Sequence, residues 1–390
     1  MREMIIENVN VYTEKKIFER GSVCIRDGRF HAGTPCSQKE EVIDGGGCYA
    51  IPGLIDLHLH GCMGADFCDG TREAMTAIAR YEAASGITAI APATMTLPAE
   101  ELEEILSLAA EYVQEMRERR EEPDAGEGLA DIVGVNMEGP FISPARKGAQ
   151  NEKYILPCDA AICERFLKAS RGLVKFIGIA PEENPESGAF IERFRDRVHV
   201  ALAHTNADYE TAALAFRAGA DHVVHLYNGM APFTHRAPGV VGAAMDQRHV
   251  WAELICDGIH IHPSAVRAAF RMFGGDRIVF VSDSMRAAGM ADGDYILGGL
   301  KVQVSRGTAR LAEGGSLAGS AVNLMDCVRR AVLEMGIPLE TAVACATINP
   351  ARRLGIEGEY GSISEGKTAD LALLDRDLNL KMVVKRGRIV

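Results

Sequence analysis

The clearest chemical signal in this sequence is a pair of histidines, His58 and His60, at the end of a short apolar run. In a β-strand, residues two apart point to the same face, so the two imidazoles would lie side by side. Two neutral imidazoles at this spacing can supply half of a metal site. The alternative is structural, with two histidines that end a strand and make ordinary hydrogen bonds. The pair alone favours metal binding without excluding the structural role.

Ionisable residues also stand at or near the ends of several other apolar runs. A single histidine or acid in such a place is usually a structural group. Such residues on six of the eight central runs are harder to explain, because each buried ionisable group needs a partner. A divalent cation would supply that partner for several groups at once. The residues are His58 and His60, Glu138, His204, His225, Asp257 with His260, and Asp283.

The central part of the chain alternates between short apolar or β-branched runs and longer segments with helical periodicity. This alternation predicts an α/β fold with parallel strands joined by crossover helices. Eight such units predict a (β/α)8 barrel of the TIM type, whose active site lies at the carboxyl ends of the strands. An open doubly wound sheet is the alternative, but no glycine-rich phosphate turn follows the first strand. The predicted strands are residues 54–60, 88–95, 132–138, 174–180, 198–204, 222–227, 251–257 and 278–283.

The two ends of the chain have a different pattern, with short strands and few helical signals. Asp27-Gly28 lies between two of these strands and is a hairpin signal. We therefore expect a small β-sandwich domain built from residues 1–50 and 351–390. The barrel, residues 51–350, would be inserted between them. The predicted end strands are residues 4–12, 23–26, 29–32, 41–43, 371–374 and 382–385.

Composition narrows the possible partners. The chain has 390 residues, of which 47% are hydrophobic and 25% charged, as in soluble globular proteins. The net charge of -12 and the absence of a basic stripe argue against nucleic acid, and a small anionic substrate would need a local cationic pocket or a metal. The ten cysteines form no C-x-x-C pair, which indicates a reduced, cytoplasmic protein. No signal peptide and no membrane-spanning segment of about 18 apolar residues is expected.

Two segments between predicted elements are rich in glycine or in charge. Residues 285–320 form a long, glycine-rich connection after the last predicted strand. A long loop at the active face of a barrel is often a lid, and we expect that role here. Residues 117–130 are charged and contain proline and glycine, so we expect a solvated helix end and a loop there.

Several short motifs occur in the order found in a known group of enzymes. Together with the barrel pattern and the two-ended β domain, they make the chain resemble the amidohydrolase superfamily over nearly its whole length. Within that superfamily, the motifs are similar to those of the N-acetylglucosamine-6-phosphate deacetylases. The motifs are N-M-E-G-P-F at residues 136–141, A-H-T-N at 203–206, H-L-Y-N-G-M at 225–230, H-R-A-P-G at 235–239, C-D-G-I-H at 256–260 and L-A-G-S at 317–320.

The resemblance implies a metal-dependent hydrolase that converts N-acetylglucosamine 6-phosphate to glucosamine 6-phosphate and acetate. The same reaction on the galactosamine epimer stays open, because the two sugars differ at one hydroxyl. A cyclic-amide hydrolase of the dihydroorotase or hydantoinase kind is a broader alternative. A member that has lost catalysis and serves as a scaffold is a further alternative, but its metal ligands should then be eroded, and here they are intact.

The resemblance also implies roles for individual residues at the metal. Glu138, His204 and His225 match the principal ligands of a divalent ion, with zinc or iron as the leading candidates and one or two ions per subunit. Asp283 matches the catalytic aspartate, which takes a proton from water as general base and returns it to the leaving amine. His260 matches a histidine that contacts the substrate and helps to polarise the acetamide carbonyl.

A second set of roles concerns the sugar phosphate. Arg236 matches an arginine that binds this phosphate across a dimer interface, so the resemblance implies a homodimer in which Arg236 reaches the neighbouring active site. A planar guanidinium suits a phosphate through two parallel hydrogen bonds. Asn228 and the backbone N–H of Gly229 match a turn that contacts the phosphate. Gln150 is the nearest match to a histidine that contacts a sugar hydroxyl in some members, but a glutamine cannot titrate.

The chain departs from some family members around the metal. Some members lack the first histidine pair and hold one metal, whereas His58 and His60 leave room here for a second ion. Many binuclear members bridge their metals with a modified lysine that ends strand four, but Lys175 lies near the start of that strand. Glu138 is therefore the better bridging candidate. Cys62 is either a soft ligand or, preferably, a packed thiol. The histidines expected to be structural are His222, His249 and His262.

Overall fold

The computed structural model of the chain describes residues 3–31, 41–119 and 128–390. Its strands, in chain order, are β1 (Glu3–Tyr12), β2 (Phe18–Arg26), β3 (Arg29–His31), β4 (Glu41–Asp44), β5 (Tyr49–Pro52), β6 (Leu54–Asp56), β7 (Gly61–Cys62), β8 (Ala65–Asp66), β9 (Ile87–Ile90), β10 (Ala93–Thr94), β11 (Asp131–Ile132), β12 (Val135–Phe141), β13 (Val174–Ile179), β14 (His199–Leu202), β15 (His222–Val223), β16 (Trp251–Ile255), β17 (Ile278–Val281), β18 (Gly293–Leu297), β19 (Leu300–Ser305), β20 (Thr308–Leu311), β21 (Leu371–Leu374), β22 (Leu380–Lys385) and β23 (Arg388–Ile389).

The α-helices of the same ranges are α1 (Arg72–Ala84), α2 (Ala99–Glu118), α3 (Ala160–Ala169), α4 (Ser187–Phe194), α5 (Tyr209–Ala218), α6 (Gly239–Asp246), α7 (Pro263–Phe273), α8 (Leu324–Leu333), α9 (Leu339–Ala346) and α10 (Ile348–Leu354). None of these helices is long and apolar enough to cross a membrane. Two predictions fall partly outside the described residues, namely the strand expected to reach residue 32 and the charged loop at residues 120–127.

Eight parallel strand positions form the barrel. The first is β6, the second is β9 with β10, the third is β11 with β12, and β13 to β17 follow in chain order. The circle closes beside β17, where the N–H of Asp283 donates to the carbonyl of His58 at 2.9 Å. The N–H of His60 also donates to the carbonyl of Ser284, at 2.7 Å. The predicted (β/α)8 barrel is therefore confirmed.

Local sequence explains how the crossover helices begin and why they pack. The side chains of Thr71 and Asp208 accept hydrogen bonds from the first turns of α1 and α5, which satisfies otherwise unpaired N–H groups. Each helix buries one apolar stripe against the barrel, as Met75, Ile78 and Ala79 of α1 do. The helices cover the outside of the barrel, so the residues of strands such as β17 are buried on both faces.

A separate apolar cluster fills the lower part of the barrel. Its members include alternate residues of the strands, such as Val279 and Val281 on the eighth strand position and Ile55 on the first. Ala351 and Leu354 of α10 pack against the same cluster. Alternate residues of a strand point to the same side, so this cluster is the barrel interior and α10 covers it.

The strands from the two ends of the chain form one hydrogen-bonded sheet in the order β23-β22-β21-β5-β1-β2-β3, with β4 paired to β1. The strands of the predicted β-sandwich, residues 1–50 and 351–390, thus pair in one sheet among the described residues, and their assignment to a separate domain stays a prediction. The predicted hairpin at Asp27-Gly28 is confirmed, since both residues have the positive φ of a tight turn. The sheet extends to Pro52, and α10 crosses the boundary expected after residue 350.

A buried network of charges joins this sheet to the barrel. The ammonium of Lys385, at the end of β22, lies 2.7 Å from Asp131 of β11 and 2.6 Å from Asp370. The guanidinium of Arg386 also contacts Asp131 at 2.7 Å, and the Tyr360 hydroxyl donates to the same carboxylate. Two cations and two carboxylates therefore balance one another where the β sheet meets the third strand position of the barrel.

The connection predicted as a long loop at residues 285–320 contains an antiparallel three-stranded sheet, β18-β19-β20. Val302 and Val304 of β19 are buried, whereas Lys301, Gln303 and Ser305, which alternate with them, are exposed. This strict alternation is a strand signal that the surrounding glycines obscured in the sequence. The small sheet packs with Met95 and Met285 in its own apolar cluster. It therefore covers the carboxyl-end face of the barrel beside β10 and β17.

Candidate metal centre and active site

Glu138 is the centre of a cluster of buried side chains at the carboxyl ends of the barrel strands. Its Oε1 atom lies 2.9 Å from Nε2 of His204 and 2.7 Å from Nε2 of His225. Its Oε2 atom lies 3.3 Å from Nε2 of His60. His58 approaches the same carboxylate, with Nε2 at 3.7 Å from Oε1. The structure thus brings together all five residues predicted as metal ligands.

Hydrogen bonds on the far side of three imidazoles fix which ring nitrogen faces this cluster. Nδ1 of His204 lies 2.8 Å from the carbonyl of Arg146, and Nδ1 of His225 lies 3.1 Å from the carbonyl of Asn228. Nδ1 of His58 lies 2.9 Å from a carboxylate oxygen deeper in the barrel. Carbonyls and carboxylates only accept hydrogen bonds, so Nδ1 carries the proton and Nε2 turns its lone pair inwards.

The Nε2 lone pairs that point into the cluster repel one another, whereas a bound cation would satisfy them. Nε2 of His204 and Nε2 of His225 lie only 3.2 Å apart, although both are acceptors in the neutral rings. Nε2 of His58 is fully buried and has no hydrogen-bond partner among the described residues. A divalent ion removes both conflicts, because imidazole nitrogens and carboxylate oxygens are good ligands for zinc and related metals.

Two ligand groups share Glu138. One consists of His58, His60 and Glu138, and the other of Glu138, His204 and His225, with ligand atoms within 4.8 Å of one another in each group. All the residues in both groups are buried. The described residues could therefore hold two ions with Glu138 between them.

Asp283 approaches the same ring nitrogens of the histidine pair as Glu138 does. Its Oδ1 atom is 3.3 Å from Nε2 of His60 and 3.6 Å from Nε2 of His58. Its carbonyl accepts a hydrogen bond from the N–H of Ser320, so the backbone is held on both sides. Burial raises the pKa of the Asp283 carboxyl, but His60 and His58 outweigh burial and hold the pKa below its usual value. Asp283 is therefore a carboxylate at neutral pH.

The electrostatics of the cluster favour positive charge. Burial raises the pKa of Glu138, but the surrounding imidazoles, His204 first, hold that pKa well below its ordinary value. Burial lowers the pKa of His60, whereas Asp283 and Glu138 raise it well above the ordinary value. Two carboxylates thus draw cations into a buried space, and either protons or a divalent ion can supply the charge.

Three residues of the site have backbone angles that are unusual for side-chain-bearing residues. The φ angles are 43° for His204, 28° for His225 and 49° for Asp283. Each such left-handed residue costs about 1–3 kcal/mol and persists only when the surrounding structure enforces it. The barrel therefore holds these side chains at a fixed cost in stability, which is common at functional sites.

The cluster opens into a cavity of about 400 Å³. His260 lies in its wall, with Nδ1 2.7 Å from Oδ2 of Asp257 and its backbone N–H bonded to the same side chain. Nε2 is thus the ring atom of His260 that remains for a ligand. The other predicted site residues that line the cavity are His60, Glu138, Gln150, His204, His225, Asn228, Gly229 and Asp283.

Gly229 lies directly against a metal-ligand candidate. Its φ is 59°, and a Cβ atom there would lie 2.9 Å from Nδ1 of His204. Only glycine satisfies both constraints without moving the imidazole. The carbonyl of Gly229 also accepts a hydrogen bond from Thr205, so this turn and the strand end that carries His204 are fixed together.

Comparison with known proteins identifies the family. A model of the amidohydrolase family matches residues 49–390. The chain belongs to the amidohydrolase family. Members of this family are typically metal-dependent, in agreement with the His and Glu groups that could bind a metal here.

Individual relatives and solved structures show which members of this family the chain is similar to. N-acetylglucosamine-6-phosphate deacetylase of Bacillus subtilis (strain 168) is 34% identical over 392 residues, covering 99% of this amidohydrolase and 96% of the relative. N-acetylgalactosamine-6-phosphate deacetylase of Escherichia coli O157:H7 is 34% identical over 338 residues, covering 87% and 86%. A mutant N-acetyl-D-glucosamine-6-phosphate deacetylase from Mycobacterium smegmatis, in complex with N-acetyl-D-glucosamine-6-phosphate, has a TM-score of 0.89 at 31% identity and covers 100% and 98%. The predicted resemblance is confirmed.

Arg236 and Gln150 were predicted to contact the substrate, but within one chain of this amidohydrolase neither simply points a free polar group into the cavity. Arg236 is exposed in the loop between β15 and α6 and is not part of the cavity wall within one chain. Gln150 lies in the wall, but its Nε2 donates to Glu138 at 2.5 Å and its Oε1 accepts from the N–H of Thr96 at 2.7 Å. Gln150 therefore contacts the metal-ligand cluster itself, which the sequence did not predict.

The remaining candidates have structural surroundings. The sulfur of Cys62 faces the carbonyl of Ile78 at 4.0 Å, and neither ligand group includes it. Lys175 is the second residue of β13, at the end away from the cluster. His222 bonds a buried carboxylate, His249 lies near two backbone carbonyls, and His262 caps α7.

One residue of this amidohydrolase that contacts the cluster was not predicted from the sequence. Glu253 is in the middle of β16, is fully buried, and is the carboxylate that accepts the hydrogen bond from His58. An acid in the centre of an apolar run was the available signal, because such a residue is rarely buried without a specific partner.

Proposed function

We propose that this amidohydrolase removes the acetyl group of N-acetylglucosamine 6-phosphate, giving glucosamine 6-phosphate and acetate. The observation that carries the proposal is the cluster of histidines around Glu138, which opens into a cavity that also contains Asp283 and His260. A hydrolytic site needs both a cation and a proton acceptor beside one substrate pocket, and this cavity offers both. The names and complexes of the relatives at 31–34% identity supply the substrate class.

For the cofactor, we propose zinc or iron, with one or two ions in each subunit. Glu138, His204 and His225 would hold the principal ion, and His58 and His60 would share Glu138 with a second. When bound there, a divalent ion would polarise the amide carbonyl and lower the pKa of water toward about 7. Histidine and carboxylate ligands suit several metals, so the donor set alone supports the class of ion and not one element.

Asp283 would move the protons of the reaction. Its carboxylate lies 3.3–3.6 Å from the histidine pair and borders the cavity, so a water molecule in the cavity beside these ligands would lie within its reach. As a carboxylate at neutral pH, it can accept a proton from this water as general base. It would then return that proton to the amine that leaves when the C–N bond breaks.

His260 would orient the acetamide group of the substrate. Its Nδ1 is held by Asp257, whose backbone carbonyl is in turn bonded by Arg330 at 2.6 Å. This leaves Nε2 to contact the substrate from a fixed direction. With Nδ1–H bonded to Asp257, Nε2–H can donate to the carbonyl when the ring carries both protons, and the Asp257 carboxylate balances that charge.

The phosphate would be bound by groups from two subunits. Asn228 and the N–H of Gly229 lie in the cavity wall, whereas Arg236 is exposed on the surface of its own chain. We propose a homodimer in which Arg236 enters the neighbouring cavity and offers two parallel hydrogen bonds to the phosphate. Gln150, whose amide nitrogen has only a weak 3.8 Å contact to the Met95 sulfur beyond its bond to Glu138, would contact a sugar hydroxyl.

The galactosamine epimer is a second candidate substrate. It is favoured by one observation, namely that a relative named N-acetylgalactosamine-6-phosphate deacetylase matches at the same 34% identity. A cyclic-amide substrate is less well supported, because Lys175 lies at the end of β13 away from the cluster and cannot bridge two metals.

The test is acetate release from three substrates by protein of known metal content. The substrates are N-acetylglucosamine 6-phosphate, its galactosamine epimer, and unphosphorylated N-acetylglucosamine. Fast, metal-dependent release from the first alone is the expected result. Release from the epimer alone would change the substrate but keep the reaction. No release from any of them, with metal bound, would overturn the proposal and direct the assay to cyclic amides.

A further inference from the structure

Glu253 is surrounded by hydrogen-bond donors only. Its Oε2 accepts from Nδ1 of His58 at 2.9 Å and from the backbone N–H of His225 at 3.0 Å. Its Oε1 accepts from Nε2 of His222 at 3.0 Å and from the amide of Asn136 at 3.3 Å. Glu253 is therefore a buried carboxylate whose four partners satisfy both oxygens.

The bond to His58 decides what that ring presents to the cluster. With its Nδ1–H held by Glu253, the ring turns Nε2 toward Glu138 at 3.7 Å and Asp283 at 3.6 Å. This Nε2 atom has no hydrogen-bond partner among the described residues. When one nitrogen of a neutral imidazole donates a hydrogen bond to a carboxylate, the lone pair on the other nitrogen also becomes a stronger metal ligand.

His60 lacks an equivalent support. Its Nδ1 atom is buried and has no hydrogen-bond partner in the described part of the chain. Of the two rings, His58 is therefore the one whose Nδ1 is held by a carboxylate within the described residues. The second ligand group therefore depends on Glu253 through one ring.

His222 supports Glu253 from the other side. Its ring packs on Phe176 with centroids 4.9 Å apart, and its Nε2 donates to the carboxylate. Across the barrel interior, the order of contacts is thus His222, Glu253 and His58. This order explains why a histidine that faces away from the cavity is fully buried beside an acid.

We propose that Glu253 is a positioning residue for the metal position formed by His58, His60 and Glu138. It fixes the tautomer and the ring direction of His58, and its negative charge strengthens Nε2 as a ligand. This inference rests on the proposed function, because it assumes that divalent ions occupy the cluster. It assigns to Glu253 a selective effect on the second ion, not a general effect on the fold.

The experiment measures zinc bound per chain during titration with a chelator, for wild type and for Glu253→Gln and Glu253→Leu. Glutamine has nearly the same shape but lacks the charge, and it offers an acceptor on one arm only. Leucine offers none. We expect wild type to hold two ions, and both variants to bind one of them about 10–100-fold more weakly, as is typical for loss of a group behind a metal ligand. His58→Ala should give the same pattern.

The matched control is Glu82→Gln. Glu82 is also fully buried, in α1, but its carboxyl lies beside the Cys62 thiol and is hydrogen-bonded to no imidazole among the described residues. This variant should bind both ions as wild type does. Thermal unfolding of each metal-free variant separates loss of folding from loss of metal. If the leucine variant does not fold, the glutamine variant alone decides the question.

Three results would overturn the inference: one ion only in wild type, unchanged affinities in both Glu253 variants, or equal weakening of both ions. Acetate release by wild type is assayed separately from metal content. If the Glu253 variants selectively lose one ion but wild type releases no acetate, the role of Glu253 is supported and the proposed reaction is rejected. Active wild type with unaffected Glu253 variants would do the reverse.

Discussion

The N–H of Asp283 donates to the carbonyl of His58 at 2.9 Å, where the eighth strand position meets the first. The proton-transfer candidate and a metal-ligand candidate therefore share one backbone hydrogen bond. Their side chains face each other at 3.6 Å as a direct result. Closing the barrel and assembling the site are thus the same structural event.

Replacing Asp283 with asparagine should lower turnover by orders of magnitude but keep the metal. Asparagine has the same shape, but its amide does not accept a proton, and general-base catalysis contributes about 10²–10⁴-fold. We expect acetate release to fall by that factor, with zinc or iron per chain close to wild type. Turnover near the wild-type rate would reject Asp283 as the proton acceptor.

Glu138→Gln should remove all bound metal, because Glu138 belongs to both ligand groups. The variant keeps the side-chain volume but loses the charge that draws cations into the cluster. We expect near-zero metal per chain and no acetate release. Chelator-treated wild type is the control, since added metal should restore its activity but not that of the variant. Normal metal content in Glu138→Gln would contradict the ligand assignment.

Arg236→Ala should impair the phosphorylated substrate much more than the unphosphorylated sugar. The expected change is a raised KM for N-acetylglucosamine 6-phosphate, measured against any residual activity on N-acetylglucosamine. Arg217→Ala removes an exposed arginine from α5 and serves as the control. Equal losses on both substrates would count against a phosphate contact. Restored activity in hybrids of Arg236→Ala and Asp283→Asn chains would place Arg236 in the neighbouring subunit.

Gly229→Ala should weaken metal binding as well as stability. A Cβ there meets the ring of His204 at 2.9 Å, in a residue with φ of 59°. Gly307→Ala is the matched control, because Gly307 has φ of 70° and nothing within 4 Å of the added Cβ. Denaturant unfolding should show a loss of roughly 1–2 kcal/mol from the left-handed backbone in both variants. Only Gly229→Ala should also lose metal affinity, and equal metal binding in the two would contradict the prediction.

The sheet β18-β20 remains predicted as a lid. Leu297, Ser316 and Leu317 place this segment in the cavity wall, and Lys301, Arg306 and Arg310 on it are exposed to trypsin. We expect glucosamine 6-phosphate to slow cleavage at these three sites, while cleavage at the exposed Arg171 stays constant. An unchanged cleavage rate within the sheet would argue for a fixed wall.

The residues of the cluster were predictable because two simple geometric rules apply to them. Alternation along a strand places His58 and His60 on one face, and a parallel barrel places all strand ends at one rim. Glu138, His204, His225 and Asp283 follow from the second rule. Neither rule needs any knowledge of how side chains pack.

Other features depend on contacts between distant parts of the chain. The positive φ angles of His204 and His225 have no local signature, because they result from the surrounding barrel. The role of Glu253 needs His58, nearly two hundred residues earlier, to be visible. The position of Arg236 relative to a cavity depends on a second subunit, which one sequence does not describe.

The buried ion pairs of Lys385 with Asp131 and Asp370 limit how far the barrel can be separated from the rest of the chain. A barrel excised from its flanking segments would leave Asp131 without its ammonium partner, at the start of the strand position that carries Glu138. The terminal segments are therefore not an accessory that engineering can discard. A minimal catalytic unit has to retain the segment that carries Lys385 and Asp370, together with β5 and β1, which extend its sheet.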